Sequence, residues 1–314
     1  MVPLPEEFTR STVDREGPAG AAWLAELPAL VDRLLLRWDC TPDGEVLHGG
    51  VGLVVPVHSA HGPAVLKVSF PHPGNVHEPD ALQAWGGEGA VRLYARDDAR
   101  YAMLLERAHP TTLAAVADGD GDGDEVPETA GRLSRRLAVP APPGLPRLSA
   151  QADGWEEQLR KDAAEFPRAL PARVVDAAVA TVRELGREQP ATLVHGDLHA
   201  RNILRAEREP WLAVDPKGLA GDPAYDAGTL LKSRAVALIG ADDLPGAVRR
   251  TLAVFTGAAE LDPHRTVRWA QFHAVQAAYH GRRHGFRIAR SGPGLDWLTG
   301  FADRLAVFLT DEIP

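Results

Sequence analysis

Residues 192–218 read TLVHGDLHARNILRAEREPWLAVDPKG. Two short apolar runs, NILRA and WLAVD, are joined there by the charged turn EREP and preceded by a tight loop. Apolar runs of this length bounded by turn residues predict a hairpin of two short strands. Because Asp197, Asn202 and Asp215 stand at the ends of these strands, we expect the hairpin to bring Asn202 and Asp215 together, although they are distant in the chain.

The polar residues of this hairpin suit phosphoryl transfer, which needs positioning and charge neutralisation more than covalent chemistry. Carboxylate and amide oxygens are ligands for Mg²⁺, which also keeps several waters. Asn202 and Asp215 are therefore predicted magnesium ligands, and Asp197 is the predicted catalytic base for a substrate hydroxyl. Protein kinases space their catalytic Asp and metal-binding Asn in the same way. A lone D-x-x-x-x-N is weak, but HGD at its start and the apolar run into Asp215 make the combination specific.

Two other interpretations of the HGDLH segment stay open. The segment could be a polar loop between two strands that carries no chemistry. Alternatively, His195 and His199 could be metal ligands, since a spacing of four places two side chains on one helix face. Gly196 and the preceding TLV disfavour a helix at this point, and the sequence offers no evident third ligand.

The N-terminal region predicts a small sheet that carries a lysine. Residues 51–57 (VGLVVPV) and 64–70 (AVLKVSF) are β-branched and apolar and are separated by turn residues. Lys67 lies inside the second run, where an unpaired charge would be costly. Glu78, at the start of the next predicted helix, is its expected partner, with Glu88 as the second candidate. We expect Lys67 to contact nucleotide phosphates.

A glycine-rich turn in the same region is a weaker candidate for phosphate contact. Residues 48–52 (HGGVG) lie between two predicted strands, and the backbone of Gly50 and Gly52 could approach phosphates. The chain contains no Gly-Lys pair, so a P-loop is excluded. ATP is therefore expected to be held as in kinases, between two lobes.

The run MLLERA, residues 103–108, ends the predicted small lobe and is a candidate adenine contact. The backbone from Leu105 to Arg107 could hydrogen-bond the base, and Met103 could pack near it. An ordinary edge strand is the alternative interpretation.

Helical patterns dominate the chain after about residue 155. The fold class predicted is α+β, with a β-rich N-terminal lobe over residues 1–106 and a mostly helical C-terminal lobe over residues 107–314.

The acidic stretch 118–125 (DGDGDGDE) resembles a calcium loop, but the twelfth position of such a loop, counted from Asp118, is Thr129 instead of Glu. A solvated loop is expected there, and attraction of a polycation is the alternative.

Composition narrows the class of protein. The 314 residues are 45% hydrophobic and 25% charged, which is ordinary for a globular protein and excludes overall disorder. A net charge of −9 disfavours a broad nucleic-acid surface and suits a cationic ligand. Cys40 is the single cysteine, so no internal disulfide can form. The start of the chain lacks a signal-peptide pattern, and no apolar run is long enough to span a membrane. We expect a cytoplasmic monomer or homodimer.

Together these residues resemble the aminoglycoside phosphotransferase family, and within it the streptomycin 6-phosphotransferase and hydroxyurea-resistance branch. The resemblance is carried by AVLKVSFPHPGNVHEPDALQAW, MLLERA, VHGDLHARNIL and EREPWLAVDPKGLAGDPAYD. It implies a protein-kinase-like fold and ATP-dependent O-phosphorylation of a small, cationic hydroxylated acceptor such as streptomycin, which inactivates an antibiotic. It also implies Asp197 as catalytic base, Asn202 and Asp215 as magnesium ligands, and Lys67 as a phosphate contact.

Departures from protein kinases favour a small acceptor. Asp215 opens Asp-Pro-Lys-Gly instead of Asp-Phe-Gly, and no Ala-Pro-Glu follows. Lys217 could reach the transferred phosphate or pair with a nearby carboxylate. Asp222 and Asp226, in GDPAYD, are expected to cap the next helix and brace the loop, and direct contact of these residues with substrate is the alternative.

In the enzymes that this chain resembles, a late helix helps to wall the acceptor pocket. The resemblance therefore makes candidates of four residues in the predicted helix 263–284: Trp269, His273, Gln276 and Tyr279. Aromatic core packing is the alternative for them. Arg282, Arg283 and Arg287 would repel an aminoglycoside if they faced the pocket, so they are expected to face solvent or a carboxylate. The rival functions are a kinase of another small metabolite, such as an amino sugar, and a nucleotide-binding module without turnover.

Overall fold

The computed structural model describes residues 2–117, 123–286, 289 and 291–313. The chain divides into two compact units. The first unit comprises Met1–Pro110 and Arg205–Lys217, and the second comprises Thr111–Leu204 and Gly218–Pro314. Residues 118–122 of the predicted acidic loop, and Arg287, lie outside the described residues.

The first unit is built on an antiparallel sheet of six strands. Five strands lie in the order β1-β3-β4-β6-β5, and β2 pairs with β3. The strands are β1 (Thr41–Pro42), β2 (Leu47–His48), β3 (Gly52–Ser59), β4 (Gly62–Ser69), β5 (Leu93–Asp97) and β6 (Ala102–Glu106). Its two helices are α1 (Glu6–Arg37) and α2 (Glu78–Trp85).

Helix α1 covers one face of this sheet. The helix is interrupted at Gly17, where φ is 60°, and after this break Leu24, Leu27, Val31 and Leu34 form one buried stripe. The stripe and the sheet share one apolar core, whose fully buried members are Phe8, Leu27, Val31, Leu53, Val57, Ala64, Leu66 and Val68. Each fully buried Leu, Val or Phe side chain contributes about 1.5–3 kcal/mol. The core therefore fixes the position of β4, which carries Lys67.

The hairpin segment 205–217 belongs to the first unit, which differs from the predicted boundary after residue 106. Strand β9 (Trp211–Ala213) gives the reason. The Ala213 amide donates to the Gly89 carbonyl at 2.9 Å, and the Val91 amide donates to the Ala213 carbonyl at 3.1 Å. These backbone bonds attach the segment to the loop that precedes β5. A polar turn with a nonlocal pairing of this kind leaves no signal in sequence periodicity.

The second unit is mostly helical, as the sequence predicts. Its helices are α3 (Leu113–Ala117), α4 (Glu125–Leu137), α5 (Ala152–Glu165), α6 (Ala172–Thr181), α7 (Asp226–Ser233), α8 (Ala235–Ile239), α9 (Leu244–Ala259), α10 (Pro263–His284) and α11 (Gly292–Asp311). Strands β7 (Thr192–Val194) and β10 (Leu219–Gly221) form an antiparallel pair in this unit, and β8 (Ile203–Arg205) follows the loop after β7.

Helix α10 is the central helix of the second unit and packs against α6, α7, α9 and α11. Its N-terminus is capped by Asp262, whose carboxylate accepts the amides of His264 and Arg265, and Pro263 occupies the first turn. It ends at His284, and the next residue, Gly285, has a φ of 71° that favours glycine. Within the described residues, no helix combines the length and the apolar character needed to cross a bilayer.

Candidate active site

Lys67 lies in the middle of β4 and is held by two carboxylates of the first unit. Its Nζ is 2.6 Å from Glu78 Oε1 and 2.7 Å from Asp215 Oδ1. The Lys67 side chain is only 12% exposed. Burial lowers the pKa of Lys67, but the Asp215 and Glu78 carboxylates outweigh that effect and raise it above its ordinary value. The lysine is therefore a fixed cation at neutral pH.

Glu78 is almost fully buried at the first turn of α2. Burial raises the pKa of Glu78, and the charge of Lys67 opposes that rise only in part. A buried ion pair of this kind is strongly dependent on both members, because either charge alone would be left without compensation. Glu78 is thus the partner of Lys67, as its place at the start of α2 predicts.

Asp215 follows β9 with a backbone φ of 59°, in the left-handed region that few non-glycine residues adopt. Asp is among the residues that tolerate this conformation. Its Oδ1 contacts Lys67, and its Oδ2 lies 3.6 Å from Lys217 Nζ. Of the two roles considered for Lys217, the structure shows contact with a carboxylate.

The segment that carries Asp197 lies in the second unit, directly after β7. The Asp197 amide donates to Nδ1 of the buried His195 at 3.2 Å, and Gly196 has a φ of 78°. The side-chain amide of Asn202 donates to the Asp197 carbonyl at 3.0 Å. His199 Nε2 lies 3.8 Å from Asp197 Oδ1. These contacts fix the loop while the Asp197 side chain stays 32% exposed, so its carboxylate is reachable.

Asp226 lies behind this loop at the start of α7 and is buried. Its Oδ2 accepts the Gly196 amide at 3.4 Å. Burial raises the pKa of Asp226 to about 7; the Gly196 amide opposes the rise and the nearby Asp197 charge adds to it. Among the described residues, Asp226 Oδ1 has no hydrogen-bond partner. Asp226 therefore braces the backbone of the Asp197 loop, as predicted. The predicted capping role is wrong for Asp226, because Asp226 is the first residue of α7 and its side chain does not cap the helix.

Asp222 has the capping role that the sequence predicts. Its Oδ1 accepts the Ala224 amide at 3.0 Å, and its Oδ2 accepts from Trp269 Nε1 at 2.9 Å and from Arg265 Nε at 2.9 Å. The carboxylate thus joins the turn before α7 to α10.

The residues predicted to contact nucleotide lie in different local settings. Gly50 is exposed, and its carbonyl accepts from Arg15 Nη1 at 2.7 Å. A Cβ added at Gly52 would lie 2.9 Å from Ser69 Oγ, so the close pairing of β3 with β4 requires glycine there. The Arg107 side chain binds the Asp43 carboxylate at 2.8 Å, which leaves its backbone as the part available to a base.

Strand β6 is not an edge strand. Met103 and Leu105 are buried in it, and β6 pairs with β4 on one side and β5 on the other. The Glu106 amide is also engaged, since it donates to the Arg92 carbonyl at 2.9 Å. The alternative of an ordinary edge strand for MLLERA is therefore wrong.

The helical unit contains a cavity of about 680 Å³. Its polar lining comes from α5, α7, α10 and the Asp197 loop, and comprises Gln158, Asp162, Arg201, Lys232, Ser233, Gln276, His280, Arg283 and His284. Trp155 and Phe286 contribute aromatic surface. Lys232 lies within electrostatic reach of both Asp197 and Asp226, so the cavity neighbours the candidate base.

Of the four α10 candidates for the acceptor pocket, Gln276 lines this cavity. Trp269, His273 and Tyr279 are buried in the helical core instead. Trp269 binds Asp222, and the His273 ring packs against Tyr225 with centroids 4.4 Å apart. Burial lowers the pKa of His273 well below its usual value.

The cavity-lining residues of α5 and α7 are not among the residues predicted from the sequence. Trp155, Gln158 and Asp162 recur at positions i, i+3 and i+7, a helical face that ends in a buried carboxylate. That spacing was the available signal. Arg283 was expected to face solvent or a carboxylate, and it pairs with Asp162 at 2.7 Å while also lining the cavity.

The donors predicted for magnesium fit a hard cation. Asp215 presents a carboxylate that contacts the ammonium groups of Lys67 and Lys217. Asn202 presents its amide Oδ1, because its Nδ2 donates to the Asp197 carbonyl. In the described part of the chain, no group of three His, Cys, Asp or Glu side chains is arranged to hold a metal. His195 Nδ1 is engaged inside the loop, where it accepts the Asp197 amide at 3.2 Å.

Comparison with known proteins places the chain. The model of the aminoglycoside/hydroxyurea antibiotic resistance kinases matches residues 37–285. The chain belongs to this family. The resemblance seen in the sequence is thereby confirmed, and the protein is a phosphotransferase.

Two relatives resemble this kinase over most of its length. Streptomycin 6-kinase of Streptomyces glaucescens is 38% identical over 280 residues, which is 88% of this chain and 90% of the relative. Hydroxyurea phosphotransferase of Kitasatospora aureofaciens is 34% identical over 278 residues, or 88% of this chain and 79% of the relative.

A solved structure confirms the fold class. A thermostable mutant of aminoglycoside phosphotransferase APH(4)-Ia, in ternary complex with ADP and hygromycin B, matches 88% of this kinase and 97% of that chain. Its TM-score is 0.56 at 12% identity, a likeness that shows the fold alone.

Proposed function

We propose that this kinase transfers the γ-phosphate of ATP to a hydroxyl of a cationic aminoglycoside, with streptomycin as the first candidate. The observation that carries the proposal is the pair of ion pairs that Lys67 Nζ forms with Glu78 Oε1 at 2.6 Å and with Asp215 Oδ1 at 2.7 Å. A buried lysine fixed between two carboxylates is what a phosphate contact needs, because its position does not depend on the ligand. The two relatives act, by their names, on streptomycin and hydroxyurea.

In the proposed reaction, Asp197 accepts the proton of the acceptor hydroxyl. The hydroxyl oxygen bonds to the γ-phosphorus as the bond between that phosphorus and the leaving ADP oxygen breaks, and ADP keeps the electron pair. Asp197 suits this role because its carboxylate is partly exposed while its backbone is braced by His195 and Asp226. General base catalysis contributes about 10²–10⁴-fold in rate.

Lys67 is proposed to contact the phosphates, and Asn202 and Asp215 would hold magnesium. When bound, magnesium supplies neutralisation of the phosphate charge. Lys217 is proposed to share its charge between Asp215 and the transferred phosphate. The backbone of Gly50 and Gly52 and that of Arg107 are proposed further nucleotide contacts, with Met103 and Leu105 beneath them in the sheet.

The acceptor is proposed to bind in the helical cavity. Gln276 would contact it, and Lys232 relates the cavity to Asp197. Asp226, Trp269, His273 and Tyr279 would act from behind the cavity wall by fixing α7 and α10, since all four side chains are buried.

The test is a mass measurement on the acceptor. Streptomycin incubated with the enzyme and Mg-ATP should gain the mass of one phosphate, and Asp197→Asn should reduce the rate by about 10²-fold or more while ATP binding is kept. A matched panel of other aminoglycosides, hydroxyurea and amino sugars identifies the acceptor class. Phosphorylation of an amino sugar alone would replace the aminoglycoside proposal, and tight Mg-ATP binding with no product from any acceptor would favour the module without turnover.

A further inference from the structure

One wall of the helical cavity carries a buried carboxylate. Asp162, on α5, is 6% exposed. Its Oδ1 accepts from Gln158 Nε2 at 2.7 Å and lies 2.7 Å from Arg283 Nη2. Among the described residues that line the cavity, Asp162 is the only acid. It is therefore the one anionic position that the cavity offers to a ligand.

Arg283, which neutralises Asp162, sits in surroundings that fit a guanidinium group. Its Nη2 also forms an ion pair with Glu165, and its guanidinium carbon lies 5.7 Å from the centroid of the Phe166 ring. Two carboxylates and one aromatic face are the partners that a planar, delocalised cation prefers. All three come from α5 or the residue directly after it.

We infer that the surroundings of Asp162 form a subsite for a guanidino group of the acceptor. In the structure the Arg283 side chain occupies this subsite. When the acceptor binds, its guanidino group replaces Arg283 as the partner of Asp162. The inference rests on the proposed function and names the chemical class of the acceptor. Streptomycin carries guanidino groups on its aminocyclitol ring, whereas hygromycin B carries amino groups and no guanidino group.

The exchange keeps the buried charge compensated at every stage. An unpaired carboxylate at the position of Asp162 would be costly, so Asp162 needs a cation beside it whether or not the acceptor is bound. An incoming guanidinium supplies the same charge and the same fork of donors. Arg283 keeps Glu165 as a partner when it leaves, and the Glu165 side chain is 47% exposed, so the released arginine can follow it into water.

The other charged lining residues direct the guanidino group to this wall. Arg201 and Lys232 are cations, and His280 and His284 add no negative charge. A cationic group placed near them would be repelled, while at Asp162 it is attracted. A neutral acceptor gains nothing by displacing Arg283.

The test compares binding of streptomycin to the full-length enzyme and its variants by titration calorimetry without nucleotide. Asp162→Asn keeps the side-chain shape and removes the charge, and we expect the Kd to rise about 10- to 100-fold. Arg283→Gln removes the internal competitor, and we expect the Kd to fall about 3- to 10-fold. Glu157→Gln is the matched control, since Glu157 is an exposed carboxylate of the same helix that does not line the cavity.

Binding of hygromycin B should respond to Asp162→Asn by a smaller factor than binding of streptomycin does. Mg-ATP affinity and circular dichroism check that each variant is folded. If Arg283→Gln does not fold, Asp162→Asn decides alone. The inference is overturned if Asp162→Asn behaves like Glu157→Gln, or if a folded Arg283→Gln binds streptomycin no more tightly than the wild type.

Failure of the inference is distinguishable from failure of the proposed function. An enzyme that phosphorylates streptomycin with a KM unchanged by Asp162→Asn overturns the inference and leaves the function standing. An enzyme that phosphorylates no aminoglycoside overturns the function. In that case, binding of methylguanidinium to the Arg283→Gln variant still tests the subsite. Binding to Arg283→Gln that is lost in the double variant Arg283→Gln/Asp162→Asn supports the subsite. No binding to Arg283→Gln overturns it.

Discussion

The ammonium nitrogen of Lys67 lies 2.7 Å from Oδ1 of Asp215, a residue that follows it by 148 positions in the chain. The same nitrogen also donates a hydrogen bond to the Glu78 carboxylate. The proposed phosphate contact, Lys67, and one proposed metal ligand, Asp215, are thus joined by a direct ion pair. Three charges that depend on one another make the region sensitive to any single replacement.

Replacing Lys67 by Ala should destabilise the protein as well as abolish turnover. The change leaves Glu78 buried without its cation, which we expect to cost about 3–5 kcal/mol of unfolding free energy. Urea unfolding and ATP consumption measure the two effects. Glu45→Gln, an exposed carboxylate of the same unit, should leave both near the wild-type values. Unchanged stability in Lys67→Ala would show that Glu78 is protonated or solvated in solution.

Asp226 should make the stability of the protein depend on pH. Its folded pKa of about 7 lies above the ordinary value of 3.8, so the folded state binds a proton more tightly than the unfolded chain does. The resulting stability is present below about pH 4 and is lost as the pH rises through about 7, with a total on the order of 4 kcal/mol at about 1.36 kcal/mol per pKa unit. Asp226→Asn removes the titration, so the difference in unfolding free energy between wild type and variant should change across that window.

Urea unfolding from pH 4 to pH 8 measures that difference. Asp176→Asn, an exposed position on α6, serves as the comparison and should follow the wild-type curve. Parallel curves for wild type and Asp226→Asn would contradict the buried, proton-binding carboxyl.

Asp215→Asn should weaken nucleotide binding in a magnesium-dependent way. Asn tolerates the left-handed backbone at φ 59°, so the fold is kept while one charge is lost. We expect the Kd for Mg-ATP to rise about 10-fold or more, and the Kd for ATP in excess chelator to change much less. Calorimetry with and without magnesium gives both values. An equal change in the two constants would assign Asp215 to Lys67 alone.

Gly228→Ala should disrupt the contact between α7 and α10. A Cβ at Gly228 would lie 2.4 Å from His273 Cγ, a distance that forces one helix to shift. Overpacking of this kind costs about 1–3 kcal/mol. Because the His273 Cβ would itself lie 2.5 Å from the new Cβ, His273→Ala keeps the clash, and only His273→Gly should restore part of the loss in a double-mutant cycle. Gly257→Ala is the control, because a Cβ there would meet nothing within 4 Å, and it should leave the stability of the fold unchanged or slightly raised. The thermal unfolding midpoints of the two variants measure the difference.

Local spacing accounts for what the sequence predicts well. Lys67 and Glu78 are separated by one strand end and one short turn, so the start of α2 was a sufficient guide to their pairing. The family and its kinase-like fold follow from motifs whose residues lie close together, such as HGD and the Asn five positions after Asp197. Apolar periodicity gave most helices of the second unit.

Contacts between distant segments account for what the sequence does not show. The lining of the cavity depends on how α5 meets α10, and no pattern within α5 relates Asp162 to Arg283. Trp269 and Tyr279 share the helical spacing of Gln276 closely enough that only packing separates buried from cavity-facing positions. The position of β6 between two strands likewise depends on β5 pairing.

The attachment of strand β9 to the loop before β5 bears on how this protein can be divided genetically. A fragment that stops at Pro110 would lack the strand whose Ala213 satisfies the backbone of Gly89 and Val91, and Lys67 would lose one of its carboxylates. The smaller unit is therefore not encoded as one continuous stretch. Expression of it alone would require the 205–217 peptide in trans or a tether, which makes this peptide a natural component for a split-protein complementation assay.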